Sequence, residues 1–141
     1  MKAKLLISFV VLVVMGLLFH PACKSEEGCE FSILGTWSIN INIPGWDVAP
    51  PYSWAETLTF SGTETTGTIT GWDYAPGQTG TYTVTNCTAV TFLFNYVDSY
   101  WGPTNANFTG TLTSANTMNG NGSWDDDYGM FNLTWMGTKV M

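Results

Sequence analysis

Residues 79–97 read TGTYTVT-NC-TAVTFLFNYV, and this stretch decides the fold. Tyr82, Val84, Val90, Phe92 and Phe94 alternate with threonines and Asn95, the period-2 signature of strands with one apolar face. Asn86-Cys87 interrupts the alternation with residues suited to a tight turn. The unit is an antiparallel hairpin. Leu93 breaks its pattern and predicts a small apolar spot on the polar face.

The same grammar extends in both directions. Eight strands are predicted: 33–42, 54–61, 65–72, 79–85, 88–97, 106–113, 117–124 and 129–140. Tight turns at Ser61–Glu64, Asn86–Cys87 and Ser114–Asn116 alternate with longer loops at 43–53, 72–78, 98–105 and 124–128. Strands of this length with short connections predict an all-β, eight-stranded, antiparallel up-and-down barrel. Its interior takes Trp37, Ile39, Ile41, Leu58, Phe60, Phe108, Leu112, Met118, Leu133, Trp135 and their neighbours in register. Its exterior is rich in threonine. Gly67, Gly71, Gly110, Gly120 and Gly122 fall on the inward register, as bends or as room. So many large inward side chains fill a small barrel, so the expected pocket is shallow and near one end.

Alternate loops of such a barrel share an end. The four longer loops carry every aspartate: Asp47, Asp73, Asp98, Asp125, Asp126 and Asp127. They hold or border Trp46, Trp54, Trp72, Trp101 and Trp124, with Tyr52, Tyr74, Tyr96, Tyr100 and Tyr128. One end is plain, the other an aromatic and acidic mouth. Two readings of the rings stand side by side. They bind a small amphipathic, sugar-like or cationic ligand, or they pack on each other and cap the core. The binding set is Trp46, Asp47, Trp54, Glu56, Trp72, Asp73, Tyr74, Tyr100, Trp101, Trp124 and Tyr128.

The N-terminal residues belong to export. Lys2 and Lys4 precede the apolar run Leu5–Phe19, shorter than the roughly 20 residues that span a bilayer. Residues 1–22 read as a lipoprotein-type signal peptide, with a retained membrane anchor as the alternative. Ala22-Cys23 and the polar tether of residues 23–30 resemble a bacterial lipoprotein, in which Cys23 would be lipidated; plain secretion is the alternative. The barrel domain then covers residues 31–141, and the protein is expected at the outer membrane or cell surface, facing the periplasm or exterior. Cys29 and Cys87 both fall at the plain end, where an oxidising compartment lets them pair; otherwise they are two free thiols.

Without residues 1–22, Lys24 and Lys139 are the basic residues left against 11 acidic ones. Phosphate-rich partners are repelled, which argues against nucleic acid. The one histidine, His20, leaves with the signal, and with it any Ser-His-Asp, Cys-His or histidine-zinc apparatus. A carboxylate-based hydrolase would need Glu56 with a mouth aspartate. Glu56 shares the register of Leu58 and Phe60, but a bulge turning it to solvent is the preferred expectation. Asp125, Asp126 and Asp127 offer a calcium site as an alternative to a solvated acidic turn; no other cofactor is expected.

Gly35-Thr36-Trp37 at the start of the first strand resembles the G-x-W motif of lipocalins and bacterial lipocalin-like lipoproteins, which are calycin-type barrels. The resemblance spans residues 31–140. It implies that Trp37 closes the narrow end with a basic residue, Lys139, stacked across it. Avidins begin similarly, but where biotin binding needs an asparagine this chain has Ile39.

Overall fold

The computed structural model describes residues 28–45 and 50–141. The signal segment, Cys23, Trp46 and Asp47 lie outside the described residues. Eight strands form a closed barrel in sequence order. They are β1 (Gly35–Ile43), β2 (Tyr52–Gly62), β3 (Thr66–Thr70), β4 (Gly80–Thr85), β5 (Ala89–Asp98), β6 (Gly102–Ser114), β7 (Thr117–Asp126) and β8 (Gly129–Lys139). Every pairing is antiparallel, and β1 closes on β8 from Trp37↔Lys139 to Asn42↔Thr134.

The alternation in residues 79–97 is realised residue by residue. Tyr82 pairs with Phe92 and Val84 with Val90 across the β4–β5 hairpin, all four buried. The connection is three residues, 86–88, one longer than expected; Asn86 and Cys87 both adopt positive φ, 51° and 60°, and the Thr88 N–H donates to the Thr85 carbonyl at 3.2 Å. Leu93 points outward but is half-buried, so the expected apolar spot is largely shielded.

The interior is filled, not hollow. Phe92 stacks on Phe108 with centroids 4.4 Å apart, and Trp135 meets Phe92 edge-on at 5.1 Å. Gly110 lies opposite Gly120 in the β6–β7 ladder, and a Cβ on Gly110 would strike the Trp135 ring at 2.6 Å. Gly110 and, beside Tyr82, Gly67 therefore yield space to rings, whereas Gly71, Gly120 and Gly122 sit against neighbouring backbone. The outward positions are mainly Thr and Asn, which keeps that surface wet. A barrel that spans a membrane shows the reverse, an apolar outer band.

The plain end is sealed. Ile33 is fully buried, and the Trp37 indole N–H donates to its carbonyl at 2.7 Å. Lys139 Nζ lies 5.4 Å from the Trp37 ring centroid and donates to the Ser32 carbonyl at 3.1 Å. Cys29 and Cys87 form a disulfide with Cα atoms 5.0 Å apart. It ties the entering chain to the β4–β5 turn. From this end β1 runs toward the mouth.

Several boundaries move toward the mouth. β6 begins at Gly102, not at residue 106, so most of the expected fifth loop is paired strand. β7 runs on to Asp126, which makes Asp125 and Asp126 ladder residues instead of turn residues. The expectation for Glu56 is corrected. The β1–β2 register is unbroken, Ile39 faces Glu56, and Glu56 is 1% exposed. No bulge turns it out, because Trp54 and Asp73 supply the donors that make its burial tolerable.

Candidate functional site: an aromatic cleft over a sealed floor

Strand periodicity builds the mouth. Residues i and i+2 share a face, so Trp54 sits beside Glu56 on β2, and Trp124 beside Asp126 on β7. In both pairs the indole N–H donates to the carboxylate, at 2.9 Å to Glu56 Oε1 and 2.9 Å to Asp126 Oδ2. The strands run in opposite directions. Glu56 therefore lies beneath its tryptophan, toward the core, and Asp126 lies above, at the rim.

Glu56 also reaches the β3–β4 loop, where the Asp73 backbone N–H donates to Oε2 at 3.0 Å. Burial pushes the Glu56 carboxyl above its ordinary pKa; the Asp73 N–H and the Trp54 indole pull the other way without cancelling it. The same loop delivers Trp72, which is 1% exposed and stacks on Phe94 at 4.6 Å. The Trp72 indole N–H donates to the Tyr96 hydroxyl at 3.4 Å, and burial raises the Tyr96 phenol pKa. Trp72, Trp124 and Tyr96 are all buried. They make a floor that seals the core.

A second tier stands above this floor. Tyr52, Trp101 and Tyr128 are 53%, 37% and 64% exposed. With Ile43, Trp54, Tyr74, Trp124, Asp126 and Phe131 they line a cleft of about 430 Å³. Tyr52 stacks on Trp54 at 5.3 Å, and its phenol shares a 3.2 Å hydrogen bond with that of Tyr74. Burial first, then the Tyr52 phenol, pushes the Tyr74 pKa well up, so Tyr74 stays protonated throughout the physiological range. Across the cleft, Trp101 meets Tyr128 edge-on at 5.2 Å.

Trp101 is held from both sides. Asp98 Oδ1 accepts the Tyr100 and Trp101 backbone N–H groups at 2.6 and 2.8 Å, a local carboxylate-capped turn. The Asp127 N–H donates to the Trp101 carbonyl at 3.2 Å, and the Asp127 carboxylate seats against Gly102, which adopts φ +73°. A side chain at residue 102 would displace that carboxylate, so glycine permits the loops to clip together.

The expected site residues divide accordingly. Trp54, Tyr74, Trp101, Trp124 and Tyr128 line the cleft. Trp72 and Glu56 lie below it. Asp73 is exposed, and Tyr100, 71% exposed, packs on the outer side of Trp101 at 4.7 Å; neither lines the cleft. Asp126 does line it, but as a cap for Trp124 and for the Tyr128 N–H, which it accepts at 2.8 Å. Among the described residues no group of three or more carboxylate, histidine or cysteine side chains is placed to hold a metal ion, and Asp125, Asp126 and Asp127 do not converge. Tyr52, Ile43 and Phe131 join the cleft from outside the expected binding set. Tyr52 is one of the rings expected at the mouth, and Phe131 is an inward residue of the last strand whose place at the strand end puts it in the wall. Ile43 carries no signal apart from a strand end reaching higher than expected.

No family model matches the chain. No curated protein matches it either. Among solved structures it is similar to a redesigned beta barrel, at 15% identity and a TM-score of 0.48, over 77% of this chain and 91% of that one.

Proposed function

We propose that this chain is an exported, lipid-anchored bacterial barrel that binds a small amphipathic, sugar-like or cationic ligand at its open end, without catalysis. The observation that carries the reading is the separation of the mouth into two tiers. The lower rings already seal the core. The upper rings, Tyr52, Trp101 and Tyr128, stay exposed around an apolar cleft, and exposed aromatic surface of this kind marks an interaction site. Its volume of about 430 Å³ falls within the range of small-molecule pockets.

Glu56 supports a non-catalytic role. Both its carboxylate oxygens accept hydrogen bonds, and it does not line the cleft. Its work is to hold Trp54 and the β3–β4 loop. The competing reading, a structural or protein-interaction lipoprotein with rings that only cap, draws on Trp72 and Trp124. It leaves the upper tier without a task.

Export and anchoring rest on Lys2, Lys4, the run Leu5–Phe19 and Cys23. The chain enters at the plain end, so an anchor on Cys23 leaves the mouth facing away from the membrane. Labelling with a fatty-acid analogue tests this part: label should enter the protein and be lost in Cys23→Ser. A thermal-shift screen of small molecules tests the binding part. Ligands that raise Tm should lose that effect in the Trp101→Ala, Tyr128→Ala double variant. Equal shifts in both proteins would place binding elsewhere.

A further inference from the structure

We propose that the mouth cleft is an aromatic cage for a quaternary ammonium group. This inference rests on the binding reading above and narrows it to one ligand chemistry. Three observations carry it.

The first is ring geometry. Trp54, Tyr74 and Trp124 all line the cleft, and their planes are close to mutually perpendicular. The pairwise angles are 79°, 83° and 82°, with centroids 5.6–5.9 Å apart. Three such planes form the corner of a box, with ring faces turned in three directions. Trp101 and Tyr128, crossed at 74°, line the same space. A ring face is electronegative and attracts a cation within about 6 Å of its centroid.

The second is the hydrogen-bond inventory. The Trp54 and Trp124 N–H groups are engaged by Glu56 and Asp126. Both Asp126 oxygens already accept N–H groups. The Tyr52 and Tyr74 phenols bond each other. The Trp101 indole N–H and the Tyr128 hydroxyl are the lining side-chain donors that make no side-chain hydrogen bond among the described residues. A sugar brings more hydroxyls than these two groups can meet, and each hydroxyl left unpaired there is costly. A primary ammonium brings three N–H donors and the same problem. A quaternary ammonium has no donor and needs none; it asks only for ring faces and a nearby negative charge.

The third is charge. Asp126 stands in the wall, and Asp98 and Asp127 lie in the loops that fix Trp101. Among the described residues the only basic side chain is Lys139, at the opposite end of the barrel. Anionic ligands are repelled from this mouth and cations drawn to it.

The test is calorimetric titration of the exported protein with three probes: choline, its uncharged isostere 3,3-dimethylbutan-1-ol, and glucose. Choline should bind about tenfold more tightly than the isostere, because the two share shape and differ in charge. Tyr128→Leu, which keeps apolar bulk and removes the ring, should weaken choline about fivefold with an unchanged Tm, while Tyr128→Phe keeps the affinity. Free and lipid-borne headgroups separate in a second arm. If phosphatidylcholine vesicles sediment the protein and choline releases it, the group is a lipid headgroup. If choline binds and the vesicles do not, the ligand is a free small molecule. Either result supports the cage. Equal affinity for choline and its isostere overturns the cage but leaves small-molecule binding standing, as does glucose binding without choline binding. If no probe binds, the cage falls; if in addition nothing co-purifies with the protein, the binding reading falls with it.

Discussion

Glu56 shows how one side chain is both buried and retained. It sits on the inward register of β2, and the register alone would make it a defect in an apolar wall. The Trp54 indole and the Asp73 N–H make it a fastening for the mouth instead. Burial raises its folded-state pKa above that of the unfolded chain. Between those two values the folded protein keeps a proton that the unfolded chain has released. The contribution of Glu56 to stability is therefore greatest below its ordinary pKa near 4.5 and declines as pH rises through the folded value. Glu56→Gln removes that titration. Stability curves of the two proteins from acid to neutral pH should differ in slope across this window and run parallel above it; parallel curves throughout would mean the carboxyl is not perturbed. The two tiers of tryptophan separate in the same way. Trp72→Ala should cost about 3–5 kcal/mol in denaturant unfolding, as for a large core ring. Trp101→Ala, at a ring 37% exposed, should cost no more than about 1 kcal/mol. Comparable losses at both positions would make the upper tier part of the cap.

At the scale of elements, the mouth is organised by loops that fasten to one another. Asp98 folds the β5–β6 loop under Trp101, and Asp127 clips that loop to the β7–β8 turn. Asp98→Ala should speed amide hydrogen exchange at Tyr100 and Trp101 while the β5–β6 ladder stays protected. Unchanged exchange would show that the Asp127 contact alone holds the loop. These fastenings also explain what was legible in the sequence. Strands, turns and their order follow from alternation punctuated by Asn and Gly, because each residue there reports its own face. The Trp-x-Glu and Trp-x-Asp spacings at residues 54–56 and 124–126 also place their partners on one face. Contacts between loops carry no such period. Nothing local to Asp73 announces that its N–H meets Glu56, and nothing local to Asp127 announces Gly102. Alternation therefore gathers the rings at one end but does not sort them into floor and wall.

Across the whole molecule, the two ends differ in kind. The plain end is closed three times over, by Ile33, by Lys139 across Trp37, and by the Cys29–Cys87 disulfide. That bridge spans 58 residues, and closing such a loop lowers the entropy of the unfolded chain enough to contribute about 4 kcal/mol. Replacing both cysteines by serine should lower unfolding stability by roughly that amount. A loss near zero would mean the closed barrel already fixes the entering chain. Among the described residues the open end has no comparable closure above its aromatic floor, and its exposed wall is the surface we propose for a small ligand. Native mass spectrometry of the exported protein, purified gently and compared with the Trp101→Ala, Tyr128→Ala double variant, tests this most directly. A reproducible added mass is expected on the native protein, and the variant, equally folded, should not carry it. A bare mass across independent preparations, or an adduct that survives both substitutions, would contradict it.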